Sequence, residues 1–303
     1  MRYVDLFCGA GGASCGLVRA GWECVGAADA DADALAVYAR NFPTHPAHAL
    51  DLSRPLPAAL AKSWKRSLRD GALWASSPCT DFSTANATPR TDGSRSGLTL
   101  VLAEHVRRLR PAWLLFENVP RAESSAEFEA LVDTLDRLRY DVCYGVVNAL
   151  DFGLAQSRKR LFLLAARDGD ACAAWDRFAT PRRAHATMRE CFSKANVAVP
   201  APFVYFQAPN EANRRSVWSV DAPAPTVRAI IRPFRDSYRF TPKDPTHDRR
   251  KVFAATCEHL AALQGFPRWF VFLGGQTACA TAIGNAVPPP MASAVARAVD
   301  HAA

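Results

Sequence analysis

DLFCGAGGASCGL, residues 5–17, carries an apolar strand end through Gly9, Gly11 and Gly12 into a helical stretch. Glycine lets the backbone turn tightly and approach a bound molecule closely. The segments that follow repeat this rhythm. Apolar runs at 2–7, 22–29, 48–50, 71–76, 112–119, 142–149 and 160–166 alternate with amphipathic stretches such as LVLAEHVRRLR and FEALVDTLDRLR. Strands alternating with helices of that length predict an α/β chain with a doubly wound, mostly parallel sheet. Ligands of such sheets bind beyond the carboxyl ends of the strands, so residues at those ends are the candidates for function.

The second strand ends in Asp29, some twenty residues after the glycine turn, where a carboxylate is placed to accept from ribose hydroxyls. Asp31 and Asp33 compete with it and read equally well as a solvated helix start. Beyond the third strand, Asp51 is a candidate acceptor for an adenine amino group. The turn lacks the third glycine of a pyrophosphate loop. An adenosine-containing cofactor other than NAD is therefore expected.

Three further stretches carry chemistry. The fourth apolar run leads into SSPCTDFSTAN (76–86), which places Cys79 at a strand end, where a thiol with a lowered pKa is a nucleophile. FENV (116–119) ends the next strand with Glu117 among apolar neighbours, a setting in which a carboxyl can act as a general acid. QSRKR (156–160) precedes the last strand, with Arg158 and Arg160 alternating about Lys159 and so sharing a face of an extended chain. Two guanidiniums there suit a thiolate, a phosphate or a carbonyl.

Taken in order, DLFCGAGG, SPCTDFS, FENV, QSRKR, LQGFP and GNAVPP resemble the motif series of the cytosine-C5 DNA methyltransferases of bacterial and phage type. The resemblance spans the chain except residues 168–254. It implies a Rossmann-like methyltransferase fold that uses S-adenosylmethionine, releases S-adenosylhomocysteine and needs no metal. It implies Cys79 as the thiolate that adds to carbon 6 of an extruded cytosine, and Glu117 as the group at N3. Arg158 would hold O2, and Arg160 would support the same pocket. Phe7, Gly9 and Gly11 would surround the cofactor's methionine end, with Asp29 on the ribose and Asp51 on the adenine, and Pro78 would also contact the cofactor. Asn285 and Val287, from GNAV, would return to that pocket, and the final helix would pack beside the first strand. Ser83, Gln156 and Arg228 would face DNA, Arg228 reading a guanine edge or holding a phosphate. Thr80 replaces the glutamine common after the proline–cysteine pair, and Asp29 the commoner glutamate. A tRNA cytosine methyltransferase of the same fold and an idle DNA-binding regulator are the competing readings.

Composition agrees with this. The 303 residues carry a formal net charge of +8. Residues 168–254 hold fifteen Lys and Arg against nine Asp and Glu, with nine prolines and no lasting helical period. This segment reads as a small, irregular, β-rich target-recognition domain for a polyanion, and 1–167 with 255–303 as the catalytic domain. Double-stranded DNA is thus the expected partner, and a monomer the default. A separate restriction endonuclease is compatible with the resemblance, as are phage and regulatory roles. Nine irregularly spaced cysteines without a C-x-x-C pair argue against disulfides and zinc. No apolar run is long enough to span a bilayer and no signal peptide is evident, so a cytoplasmic location is expected.

Overall fold

The structure is a computed structural model that describes residues 1–78, 97–180, 185–206 and 215–302. Its elements in chain order are β1 (Arg2–Leu6), α1 (Gly12–Arg19), β2 (Glu23–Asp29), α2 (Ala32–Asn41), β3 (Ala47–Ala49), α3 (Ala58–Ser67), β4 (Ala72–Ala75), α4 (Gly97–Leu109), β5 (Trp113–Asn118) and α5 (Ala126–Arg137). They continue through β6 (Asp141–Asn148), β7 (Lys159–Ala166), α6 (Ala171–Ala179), α7 (Met188–Ala195), β8 (Phe203–Tyr205), β9 (Val217–Ser219), β10 (Val252–Ala254), α8 (Cys257–Gln264), α9 (Gln276–Asn285) and α10 (Pro289–Asp300).

All seven strands expected in the N-terminal part form, in one sheet of order β3-β2-β1-β4-β5-β7-β6. The pairs β2–β3, β1–β2, β1–β4 and β4–β5 are parallel, and β7 runs antiparallel to β5. Every residue of β4 and of β5 is buried, as strands covered on both faces require. Leu102, Val106 and Leu109 of α4 and Phe128, Leu131 and Leu135 of α5 recur at helical spacing and supply part of that cover. Ser125 starts α5 by accepting from the Phe128 amide at 3.2 Å. Strand order reverses between β1 and β4, so the carboxyl ends of these two strands flank a topological switch point, where α/β sheets bind ligands.

The last helix lies against α1 rather than beside β1. A Cβ on Gly16 would come within 2.2 Å of the Pro289 carbonyl, so only glycine permits this approach. The Trp22 indole donates to Asp300 at 2.9 Å.

Packing divides the chain into one compact unit of Met1–Val147, Lys159–Thr180 and Pro289–Ala303, and another of Asn148–Arg158 and Pro181–Pro288. Composition alone draws the boundaries at 168 and 254, but α8 and α9 share an apolar cluster with α7 and β8, through Leu260, Leu263, Ile283, Phe192 and Val204. The second unit holds a three-stranded sheet of order β10-β8-β9. The basic segment is less irregular than its composition suggests, because α6 and α7 form within it. Their caps were legible: Asp170 accepts from Ala173, and Thr187 and Glu190 make a capping box.

Candidate active site

The glycine turn follows β1. Phe7, Gly9 and Gly11 all take positive φ, at 58, 51 and 95°. Gly11 donates to the Cys8 carbonyl at 2.9 Å and Cys8 to that of Ala28 at 3.1 Å, which closes the turn against β2. Asp29, the last residue of β2, accepts from the Gly9 amide at 2.8 Å and from the Asp31 amide at 2.9 Å. Burial raises its pKa. Asp31 caps α2, so of the competing aspartates it is Asp29 that faces the turn. Asp51 lies two residues past β3, exposed, and accepts from the Ser53 amide and hydroxyl at 3.0 and 2.6 Å.

Beneath the turn, Asp5 is fully buried and accepts from the Ser14 hydroxyl at 2.7 Å. Desolvation pushes its pKa up to about 7. Its second oxygen, Oδ1, has no hydrogen-bond partner among the described residues. A buried carboxylate under a glycine turn suits a ligand that carries positive charge.

Gly9 and Gly11 serve different ends. A Cβ on Gly11 would lie 2.7 Å from Phe42 and 2.9 Å from Tyr38, whereas one on Gly9 would meet nothing within 4 Å among the described residues. Gly11→Ala is therefore expected to cost about 1–3 kcal/mol of stability in thermal or urea unfolding. Gly9→Ala should cost less, since among the described residues only its positive φ opposes the added methyl.

The second half of the site stands where β4 and β5 end. Their register pairs Ala75 with Phe116, which puts Glu117 level with Ser76. Glu117 is only 7% exposed, and the Arg160 guanidinium meets it at 3.1 Å. Arg160 reaches it because β7 runs antiparallel to β5, with Leu161 opposite Asn118. The next side chain, Asn118, donates to the Ser77 carbonyl and hydroxyl, both at 3.3 Å. The Ser77 and Thr99 hydroxyls lie 3.2 Å apart. Ser77 and the start of α4 are thus held to one frame at the end of β5. Pro78 is exposed. Cys79 and Ser83 lie outside the described residues. Asn118 and Thr99 were not among the sequence candidates; Asn118 sits inside the quoted FENV and was the readable one.

Arg158 and Arg160 have different surroundings, although only Lys159 separates them. Arg158 is 2% exposed, and its guanidinium donates to the carbonyls of Val227, Gly284 and Ala286 at 2.8, 2.9 and 3.2 Å, all within the second unit. Gln156, expected to face DNA, is fully buried. Its amide accepts from Val227 at 2.8 Å and donates to Leu263 and to Gln264 at 3.1 and 2.9 Å. Gln264, of the LQGFP motif, donates in turn to Ile283 and Ala286. These side chains fasten the segment around Val227 to the end of α9. Gly284 lets that segment approach, since a Cβ there would lie 2.3 Å from the Ala229 nitrogen. Asn285 is exposed at the end of α9 and Val287 is buried.

Arg228, half-buried, lines a cavity of about 320 Å³ in the second unit together with Tyr205, Trp218, Arg215, Arg232 and Lys243. Desolvation lowers its pKa. The Arg215 guanidinium stacks 4.1 Å from the centre of the Trp218 ring. Among the described residues no cluster of His, Cys, Asp and Glu could hold a metal, and no helix is long and apolar enough to cross a membrane.

Comparison with known proteins bears on the whole chain. It is 35% identical to the type II methyltransferase M.HgiDI of Herpetosiphon aurantiacus over 96% of its own length and 92% of the relative's. It is 31% identical to the type II methyltransferase M.HindV of Haemophilus influenzae, over 99% and 96%. In fold it is similar to the S. pombe Dnmt2 methyltransferase, with a TM-score of 0.70 at 18% identity over 99% of both chains. Residues 1–301 match the profile of the C-5 cytosine-specific DNA methylases, and the chain belongs to that family.

Proposed function

We propose that this protein transfers the methyl group of S-adenosylmethionine to carbon 5 of a cytosine swung out of duplex DNA, through a transient bond between Cys79 and carbon 6. The observation that carries this reading is the Glu117–Arg160 pair at the carboxyl end of β5, beside the Ser77 stem that leads to Cys79. When bound, S-adenosylmethionine supplies an electrophilic methyl. Phe7, Gly9, Gly11 and Asp29 would hold it, over the buried Asp5, with Asp51 and Pro78 at the margins.

Carbon 5 of cytosine is a poor nucleophile. Addition of the Cys79 thiolate to carbon 6 pushes electron density through the ring toward carbon 5 and N3. Glu117 meets the N3 edge, gives N3 a proton as addition builds charge there, and takes it back when Cys79 is expelled. Arg160, already oriented by Glu117, is the guanidinium for the O2 carbonyl. We therefore assign O2 to Arg160, and to Arg158 the anchoring of the Val227 segment. After methyl transfer the carbon-5 proton leaves to a base and Cys79 is expelled, which restores the aromatic ring. Extruding the base costs about a few kcal/mol, offset by contacts to DNA.

The second unit would hold DNA. Its basic residues contact phosphates, and the cavity around Arg228 would contribute to reading the target. Affinity for duplex DNA is expected to fall about 10³-fold or more between 50 and 200 mM salt. Fluorescence anisotropy across that range checks it; a flat dependence removes the basic segment from DNA binding. The names of the relatives favour a role beside a restriction endonuclease.

The deciding experiment supplies labelled S-adenosylmethionine with either duplex DNA or tRNA. Label is expected on DNA alone. Label confined to tRNA, or absent from both, overturns the reading. Bisulfite sequencing of DNA from expressing cells then gives the target.

A further inference from the structure

Cys143 lies on β6, an edge strand of the large sheet, and Cys172 in the first turn of α6. Their sulfurs are 2.6 Å apart. That is well inside the ordinary contact of two unbonded sulfurs and close to a disulfide bond of about 2.05 Å. Cys172 is exposed and Cys143 half-buried, so the pair opens to solvent on one side.

The approach does not depend on the thiols themselves. Residues 141, 143 and 145 share one face of β6, because side chains alternate along a strand. On that face Asp141 accepts from the Ala171 amide at 2.7 Å, which pins the start of α6. Two residues beyond Cys143, a Cβ on Gly145 would lie 2.9 Å from the Trp175 ring, so the helix packs flat against bare backbone. Cys143 is framed between these anchors and Cys172 stands over it. Burial, with Cys172 as the next cause, pushes the Cys143 thiol up to about 12. The exposed Cys172 therefore meets an oxidant first.

We infer that Cys143 and Cys172 are a reversible disulfide-forming site, closed by a small-molecule disulfide of the glutathione type. In the first step the Cys172 thiolate, its proton lost to water, attacks one sulfur of that disulfide. Its S–S bond breaks, one small thiolate leaves, and a mixed disulfide stands on Cys172. In the second step Cys143 loses its proton to solvent and attacks the Cys172 sulfur, releasing the second small thiolate. Two protein thiols are oxidised and one small disulfide is reduced to two thiols. The new bond staples the edge strand to α6 and closes a loop that contains the whole QSRKR stretch. Reducing cytosol keeps such pairs open, which makes this a response to oxidation and not a permanent staple.

The test treats the full-length protein with glutathione disulfide, alkylates the remaining thiols, and maps the digest by mass spectrometry. The expected product is a cross-linked peptide pair joining Cys143 to Cys172, reversed by dithiothreitol. The midpoint of thermal unfolding should rise by about several degrees on oxidation. The rise should be absent in C143S and in C172S, and C143S should retain glutathione on Cys172. Separate glutathione adducts on Cys143 and Cys172 of the unsubstituted protein, or either one cross-linked to another cysteine, overturn the inference. Because the map reads each cysteine separately, the result does not depend on Cys79 or on methyl transfer.

Discussion

Cys79→Ser is expected to reduce methyl transfer by about 10⁴-fold or more while duplex DNA still binds, the scale on which loss of a nucleophile acts. A serine hydroxyl is a far weaker acid than a thiol, so little alkoxide is present at neutral pH. It is also a poor leaving group, and expulsion from carbon 6 is half of the cycle. The frame that precedes position 79 is independent of the thiol, since Asn118 and Thr99 hold Ser77 through backbone and hydroxyl groups. Single-turnover transfer of labelled methyl measures the loss, and anisotropy of labelled duplex DNA measures the binding. DNA affinity within about threefold of the unsubstituted protein is expected. Turnover retained in full by Cys79→Ser places the nucleophile elsewhere.

Glu117→Gln carries the second large effect. The amide keeps the shape of the carboxylate and can still accept from Arg160 at the observed position, so the fold should survive. What it loses is the charge and the proton exchange at N3. Removal of a positioned acid or base lowers a rate by about 10²–10⁴-fold, and kcat should fall on that scale. A midpoint of unfolding close to that of the unsubstituted protein would separate this loss from structural damage. Glu117→Ala should be less stable, because it leaves Arg160 without the carboxylate in a site where both side chains are largely covered. A fall in kcat below about fivefold for Glu117→Gln would remove Glu117 from the chemistry.

Much of this was readable from sequence because apolar runs and helical stripes report burial directly. The seven strands were placed almost to the residue, and the glycine turn marked the carboxyl end of the first. What the pattern does not carry is the identity of the neighbour. Alternation put Arg158 and Arg160 on one face of an extended chain, yet it could not tell that Arg158 meets backbone carbonyls and Arg160 a carboxylate. Gln156 shows the same limit: the resemblance turns it toward DNA, and only the fold reveals the buried amide network it joins. The antiparallel direction of β7 was equally silent in sequence, although Arg160 depends on it. The helices α6 and α7 were missed for a different reason, since proline content over the wider segment masked two short, well-capped stretches.

The 3.2 Å clasp between Ser77 and Thr99 has an engineering corollary. Two stems held together fix the distance that any connection between them must span. Lengthening a tethered segment twofold adds only about 0.6 kcal/mol of closure entropy. Closure entropy alone therefore sets only a small stability penalty for a longer connection between the two stems, and the unfolding midpoint of chains lengthened between Ser77 and Thr99 reads that penalty directly.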